Sequence, residues 1–136
     1  MNPQYSRSHE IHSILSEKYI KRELMKAYCG FKSENDQHQL PVATGAWGCG
    51  VFCGNKELKF IIQIIAASMT GRSIVYHSFN EQKFQSSAQQ FVTNCLVPSG
   101  ITTNKLLNMI LEFNEHLDEY QMSCFHYLES RMSDCL

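Results

Sequence analysis

Apolar residues recur along this chain with two periods. Ile11, Ile14, Leu15, Tyr19, Ile20 and Leu24 follow three-to-four spacing, which predicts a helix over residues 8–29. Gly30 is the expected stop just past its last turn. Residues 31–39, FKSENDQHQ, lack apolar anchors and read as a surface loop. Residues 40–44, LPVAT, read as a short buried strand. Residues 56–70 predict the clearest helix. There Leu58, Phe60, Ile61, Ile62, Ile64, Ile65 and Met69 cover most of the circumference, so this helix is buried on more than one side. Gly71 fits its C′ position. The β-branched and aromatic run SIVYHSF, residues 73–79, reads as a second strand.

Helical spacing returns over residues 80–96, where Phe84, Ala88, Phe91, Val92 and Cys95 share a stripe. Pro98 and Gly100 mark a turn. Thr103 is placed to cap a helix running to about 119, with Leu106, Leu107, Ile110, Leu111 and Phe113 on its apolar face. Residues 120–136 have a mixed pattern and are expected to be a frayed tail. No internal repeat and no low-complexity segment interrupts this order.

Two strands around a helix make one βαβ unit in an α/β chain, with parallel strands and a right-handed crossover. Parallel strands need cover on both faces. One unit with flanking helices cannot close a sheet, so part of the domain is expected outside this chain.

Composition narrows the picture only a little. The 136 residues make at most one domain, and 43% apolar with 18% charged residues is ordinary for a soluble fold. A net charge of −1 gives no overall pull toward DNA or an anionic membrane. No apolar run approaches a membrane span, and the first residues lack a signal-peptide core. The six cysteines, Cys29, Cys49, Cys53, Cys95, Cys124 and Cys135, sit in a composition unlike a small secreted scaffold, so reduced thiols are expected. Cys49 and Cys53 lack a second ligand pair of zinc spacing, and neither a metal nor a cofactor is expected.

The segment between the first strand and the long helix carries the chemistry. In PVATGAWGCGVFCG, glycines stand at 45, 48 and 50. They permit close backbone approach, and the following helix adds its positive dipole end. Strand, glycine loop and helix in that order can turn backbone N–H groups toward a phosphate without an arginine. The loop matches neither the Walker nor the GxGxxG pattern, and the glycines alone serve a tight structural turn equally well. Phe79 ends the second strand at the same sheet edge, where a ring can stack on a nucleobase. From the residues alone, capping the core is the stronger reading for both Phe79 and Phe52, and Trp47 reads as a packing residue that fixes the loop. His77 should be a packed strand histidine facing away from Tyr76 and Ser78. The Tyr76 hydroxyl is either satisfied in the core or turned to a ligand. Cys49 precedes a helix but has no base nearby in sequence, and reads as a small loop thiol. Asp118 and Glu119 read as a solvated face, and Glu57 as a complement to its helix dipole.

The segments KRELMKAYCGF (21–31), VATGAWGCGVFCGNKELKFIIQIIAAS (42–68) and IVYHSF (74–79) resemble the C-terminal part of the poly(ADP-ribose) glycohydrolase catalytic domain. The likeness is strong over residues 18–80 and faint through 103–119. It implies that residues 1–136 form the C-terminal segment of that domain, an incomplete macrodomain-like α/β/α fold. It implies hydrolysis of ribose–ribose bonds in poly(ADP-ribose), with action in nucleus or cytoplasm and in the DNA damage response. By the same resemblance Gly48, Cys49, Gly50 and Val51 correspond to the diphosphate loop, Phe52 to the aromatic beside the ribose, and Phe79 to the adenine contact. The implied partners are poly(ADP-ribose) or ADP-ribose and the N-terminal part of the catalytic domain, with no membrane and no direct DNA contact.

Two departures stand out. Ala46 stands where the family usually has Asn before the Trp, which removes a hydrogen-bonding side chain near ribose and phosphate. The family's catalytic signature, a triple glycine and then Gln-Glu-Glu, does not occur in this sequence. The acid that protonates the leaving ribose belongs to that signature. Three readings therefore stand: an incomplete glycohydrolase inactive alone, a non-catalytic ADP-ribose-binding module, and a fragment unable to fold by itself.

Overall fold

The computed structural model describes residues 3–32, 40–45, 56–116 and 123–133, with side chains from Ser16 onward. Helix α1 spans Pro3–Phe31, strand β1 Val42–Gly45, helix α2 Lys56–Thr70 and strand β2 Ile74–His77. Helix α3 (Gln82–Phe91) runs through a π-helical turn (Val92–Leu96) into the short α4 (Val97–Ser99), and α5 (Thr103–Glu115) and α6 (Cys124–Ser133) follow. β1 and β2 pair in parallel in the register Val42↔Ile74, Ala43↔Val75, Thr44↔Tyr76 and Gly45↔His77. The expected βαβ unit is therefore present, in a helix-rich, partial α/β fold.

α2 is the centre of the molecule. Leu58, Phe60, Ile61, Ile62, Ile65, Ala66 and Ala67 are buried all round it, as its unbroken apolar pattern requires. Its end is a Schellman motif. Arg72 N–H donates to the Ala67 carbonyl, Gly71 N–H donates to that of Ser68, and Gly71 takes a φ of 67° that few other residues adopt freely. On one side α1 packs Ile20, Leu24, Ala27 and Phe31 against it at helical spacing. Gly30 does not stop α1, which runs on through Phe31. The packing of Phe31 in the core outweighs the modest cost of one helical glycine.

An aromatic cluster joins the other elements. The Phe60 ring meets Tyr76, Phe84 and Phe125 edge-on at 5.1, 6.0 and 5.9 Å, and Phe125 stacks on Phe91 at 4.7 Å. Residues 124–133, expected to belong to a frayed tail, instead form α6 and bury Cys124, Phe125, Tyr127, Leu128 and Met132. Glu57 holds the start of α6 by accepting from Phe125 N–H at 2.9 Å, so its carboxylate serves the first turns of two helices. The cap of α5 is Thr102, whose hydroxyl accepts from Lys105 N–H. Thr103, the expected cap, is the first helical residue, and its hydroxyl lies 2.8 Å from Ser68 Oγ. The widened turn at Val92–Leu96 comes just before Pro98, which has no N–H to continue the regular ladder.

The sheet has one covered face and one open face. Val42, Ile74 and Tyr76 pack against the core. Ala43, Val75 and His77 are exposed on the opposite face, with Val75 48% exposed. The expectation of a packed His77 fails here because no described element covers that face.

Candidate functional site

Both strands end at one edge, where Gly45 and His77 are register partners. The chain leaves Gly45 toward α2 through residues 46–55, and it leaves His77 toward α3 through Ser78, Phe79 and Asn80. Gly48, Cys49, Gly50, Val51 and Phe52 lie in the first connection, outside the described residues, together with Ala46 and Trp47. Phe79 lies in the second and is described.

Phe79 does not cap the core. It is 81% exposed, and its backbone has φ 47°, with φ 72° at Asn80. Two successive non-glycine residues in the left-handed region cost on the order of 1–3 kcal/mol each, and such strain collects at functional turns. The turn is held by neighbours. Glu81 N–H donates to the Ser78 carbonyl at 3.2 Å, and Ser78 Oγ donates to Gln85 Oε1 at 3.1 Å. Glu81 also pairs with Lys56, which ties the turn to the first residue of α2. The Phe79 ring lies beside Gly45: a Cβ there would stand 3.3 Å from its Cε2 and 3.0 Å from the His77 carbonyl. The His77 and Phe79 rings are 6.2 Å apart. The Tyr76 ring turns the other way, into the aromatic cluster.

Sequence reasoning passed over Gln63. It is fully buried in α2, and its Nε2 donates to the Gly45 carbonyl at 3.0 Å. Its Oε1 is buried without a hydrogen-bond partner among the described residues, a state that costs about 1–3 kcal/mol. The signal was present: one amide inside the apolar run FIIQIIAAS. A buried amide in such a run needs partners, and here the partner is the last residue of β1.

The acids at this edge are engaged in the scaffold, Glu57 with α6 and Glu81 with Lys56. Asp118 and Glu119 lie outside the described residues. Among the described residues no cluster of three His, Cys, Asp or Glu side chains can hold a metal ion, and no helix is long and apolar enough to cross a membrane. Cys29, Cys95 and Cys124 are free thiols. Burial pushes the Cys124 thiol far above its usual range, and the Glu57 carboxylate adds to the shift. Among the described residues, this edge exposes the Phe79 ring, and its nearby carboxylates Glu57 and Glu81 are engaged with the scaffold.

Residues 3–86 match a family model described as "Poly (ADP-ribose) glycohydrolase (PARG), Macro domain fold". The chain is 37% identical over 97 residues to poly(ADP-ribose) glycohydrolase 1 of Caenorhabditis elegans, an alignment covering 71% of this chain and 12% of that protein. It is 29% identical over 124 residues to poly(ADP-ribose) glycohydrolase 2 of the same organism, covering 90% of this chain and 25% of the relative. Poly(ADP-ribose) glycohydrolase 1 of Arabidopsis thaliana is 41% identical over 83 residues, covering 60% of this chain and 15% of the relative. The chain therefore spans between 12% and 25% of the length of these curated relatives. The family match takes in α1, β1, α2, β2, the Phe79 turn and the start of α3, and this chain belongs to the poly(ADP-ribose) glycohydrolase family.

Proposed function

We propose that this chain supplies the ADP-ribose-binding edge of a poly(ADP-ribose) glycohydrolase. In this reading Gly48, Cys49, Gly50 and Val51 offer backbone N–H groups to the diphosphate, Phe52 positions the ribose and Phe79 packs on adenine. The observation that carries it is the exposed Phe79, held in a strained turn at the edge from which residues 46–55 depart. A large ring kept in water at a cost in backbone strain is explained by a flat apolar ligand face, such as a purine.

The chain alone should not hydrolyse the polymer. The Gln-Glu-Glu signature is absent from its sequence, and the acids at the edge serve the scaffold. General acid–base catalysis is worth roughly 10²–10⁴-fold, and glycoside cleavage depends on it. The N-terminal part of the catalytic domain, bearing that signature, is the proposed partner. The open sheet face of Ala43, Val75 and His77 supports this pairing, since parallel sheets are normally covered on both faces. Nucleus or cytoplasm is the corresponding site of action.

A second reading, a non-catalytic ADP-ribose-binding module, draws on Ala46 in place of the family's Asn. Calorimetric titration with ADP-ribose, followed by a hydrolysis assay with and without the signature-bearing segment added in trans, tests both. Binding with turnover only on complementation is the expected result. Binding with no turnover even then selects the module, and no binding by a folded chain overturns both.

A further inference from the structure

Helix α1 and the residue after it carry positive charge out of proportion to their length. Residues 16–32 hold five of the twelve Lys and Arg of the chain, Lys18, Lys21, Arg22, Lys26 and Lys32, and two of its thirteen acids, Glu17 and Glu23. All five cations are exposed. Helical spacing sets Lys18, Lys21, Arg22 and Lys26 on one side of α1 around Met25, itself 60% exposed. Lys32 follows the last turn, its ammonium 5.9 Å from the Tyr28 ring. Glu17 pairs with Lys21 at 2.7 Å, and the buried Glu23 pairs with Lys26 at 3.3 Å. Lys18 stands three residues from Lys21 and four from Arg22, and Arg22 stands four from Lys26, so like charges are neighbours and oppose the helix. The core contacts of α1 run through Ile20, Leu24, Ala27 and Phe31, so this cationic face serves no packing.

The face also has a direction. Arg72 ties Phe31 to the end of α2. Helix α5 starts at that same end, where Thr103 meets Ser68, and finishes with Phe113 packed on Tyr127 of α6, the helix whose start Glu57 holds. Ser16 accepts from Asn114 Nδ2 at 2.6 Å, near that finish. α1 therefore runs parallel to α2, and Lys18 lies toward the end where Lys56 joins the Phe79 turn through Glu81. From there to Lys32 the cations span ~20 Å at helical rise. We propose that this face of α1 binds the poly(ADP-ribose) strand as it leaves the ADP-ribose edge. Continuity with that edge rests on the function proposed above. Every unit of the polymer carries a diphosphate, so successive negative charges meet successive cations, and each contact releases counterions. An exposed row of long, mobile cations suits a repeating polyanion better than a single nucleotide.

The test measures the affinity of the full chain for length-fractionated poly(ADP-ribose) over a range of salt, and for ADP-ribose alone. Lys18→Gln with Lys21→Gln removes two charges and leaves the pairing of the buried Glu23 intact. Lys83→Gln with Lys105→Gln removes the same net charge from the exposed surfaces of α3 and α5. The α1 variant should bind polymer several-fold more weakly, with the slope of log affinity against log salt reduced by about 0.7 for each lost contact. Its ADP-ribose affinity should be unchanged, and Lys18→Arg with Lys21→Arg should retain polymer binding. Equal losses in the α1 and control variants overturn the proposal, since net charge alone would then act. So does a single-stranded oligodeoxynucleotide of equal charge that binds wild type as tightly as the polymer and is weakened as much by the α1 substitutions. If wild type binds polymer through α1 but does not bind ADP-ribose, the reading of the Phe79 edge falls and the cationic face stands.

Discussion

The Phe79 ring lies so close to Gly45 that a methyl group on Gly45 would stand 3.3 Å from Cε2 of that ring and 3.0 Å from the His77 carbonyl oxygen. The second contact is with backbone and cannot yield by a rotamer change. Gly45→Ala should therefore push the two strand ends apart or displace the Phe79 turn. Overpacking of this kind typically costs about 1–3 kcal/mol. Chemical denaturation should show that loss, and ADP-ribose affinity should fall in the same variant.

Substitution at Phe79 tests the proposed binding role apart from stability. The side chain is exposed and its backbone is strained, so the fold does not depend on the ring. Phe79→Gly should leave the unfolding midpoint unchanged or raise it, because relief of a left-handed non-glycine residue is worth about 1–2 kcal/mol. If the ring stacks on adenine, the same change should weaken ADP-ribose binding by about 1–3 kcal/mol. A loss of stability with intact affinity would return Phe79 to a structural role.

Arg72 closes the fold near the opposite end of β1. Its guanidinium donates to the Phe31 carbonyl at 3.0 Å and to the Leu40 carbonyl at 2.8 and 3.2 Å, so it joins the end of α1 to the approach of β1. Arg72→Ala should destabilise the chain by about 1.5–3 kcal/mol, the range for hydrogen bonds from a charged donor. Arg72→Lys should recover little, because an ammonium cannot reproduce the planar fork. Thermal unfolding of the two variants checks both statements.

Cys124 should make the fold sensitive to alkali. Its folded thiol is raised above the unfolded value of 9.0, first by burial and then by the Glu57 carboxylate. The neutral thiol therefore stabilises the fold fully below about pH 9, and this contribution is lost as pH rises, because the unfolded thiol ionises first. A plot of stability against pH should fall above about pH 9, and Cys124→Ala should flatten part of that fall. Alkylation under native conditions should mark the exposed Cys29 well before Cys124.

The local elements were legible because they rest on short-range patterns. The bounds of α2 and the Gly71 stop follow from apolar spacing and one glycine. The parallel pairing of β1 and β2 follows from their separation by a helix. The family followed from a long motif in the connection 46–55 and its flanks. Three features were not legible. Residues 124–133 looked like a tail because the value of Phe125 lies in its stacking on Phe91 and contact with Phe60, and neither partner is near in sequence. Gly30 looked like a stop because the burial of Phe31 against the core is a tertiary effect. From the residues alone Phe79 reads as a core cap, because aromatic residues are usually buried, whereas the resemblance made it a ligand contact; the turn geometry shows the ring exposed.

The sequence by itself determined the order of elements as far as α5, the buried character of α2 and the family, since each depends on residue type and local spacing. Only the tertiary structure decided that Gln63 holds the end of β1, that Phe79 lies against Gly45 in a strained turn, and that no described element covers one sheet face. Those relationships join residues 18 and 34 positions apart, or depend on what covers a surface. A pattern of spacing carries no information about such distances until the chain is packed.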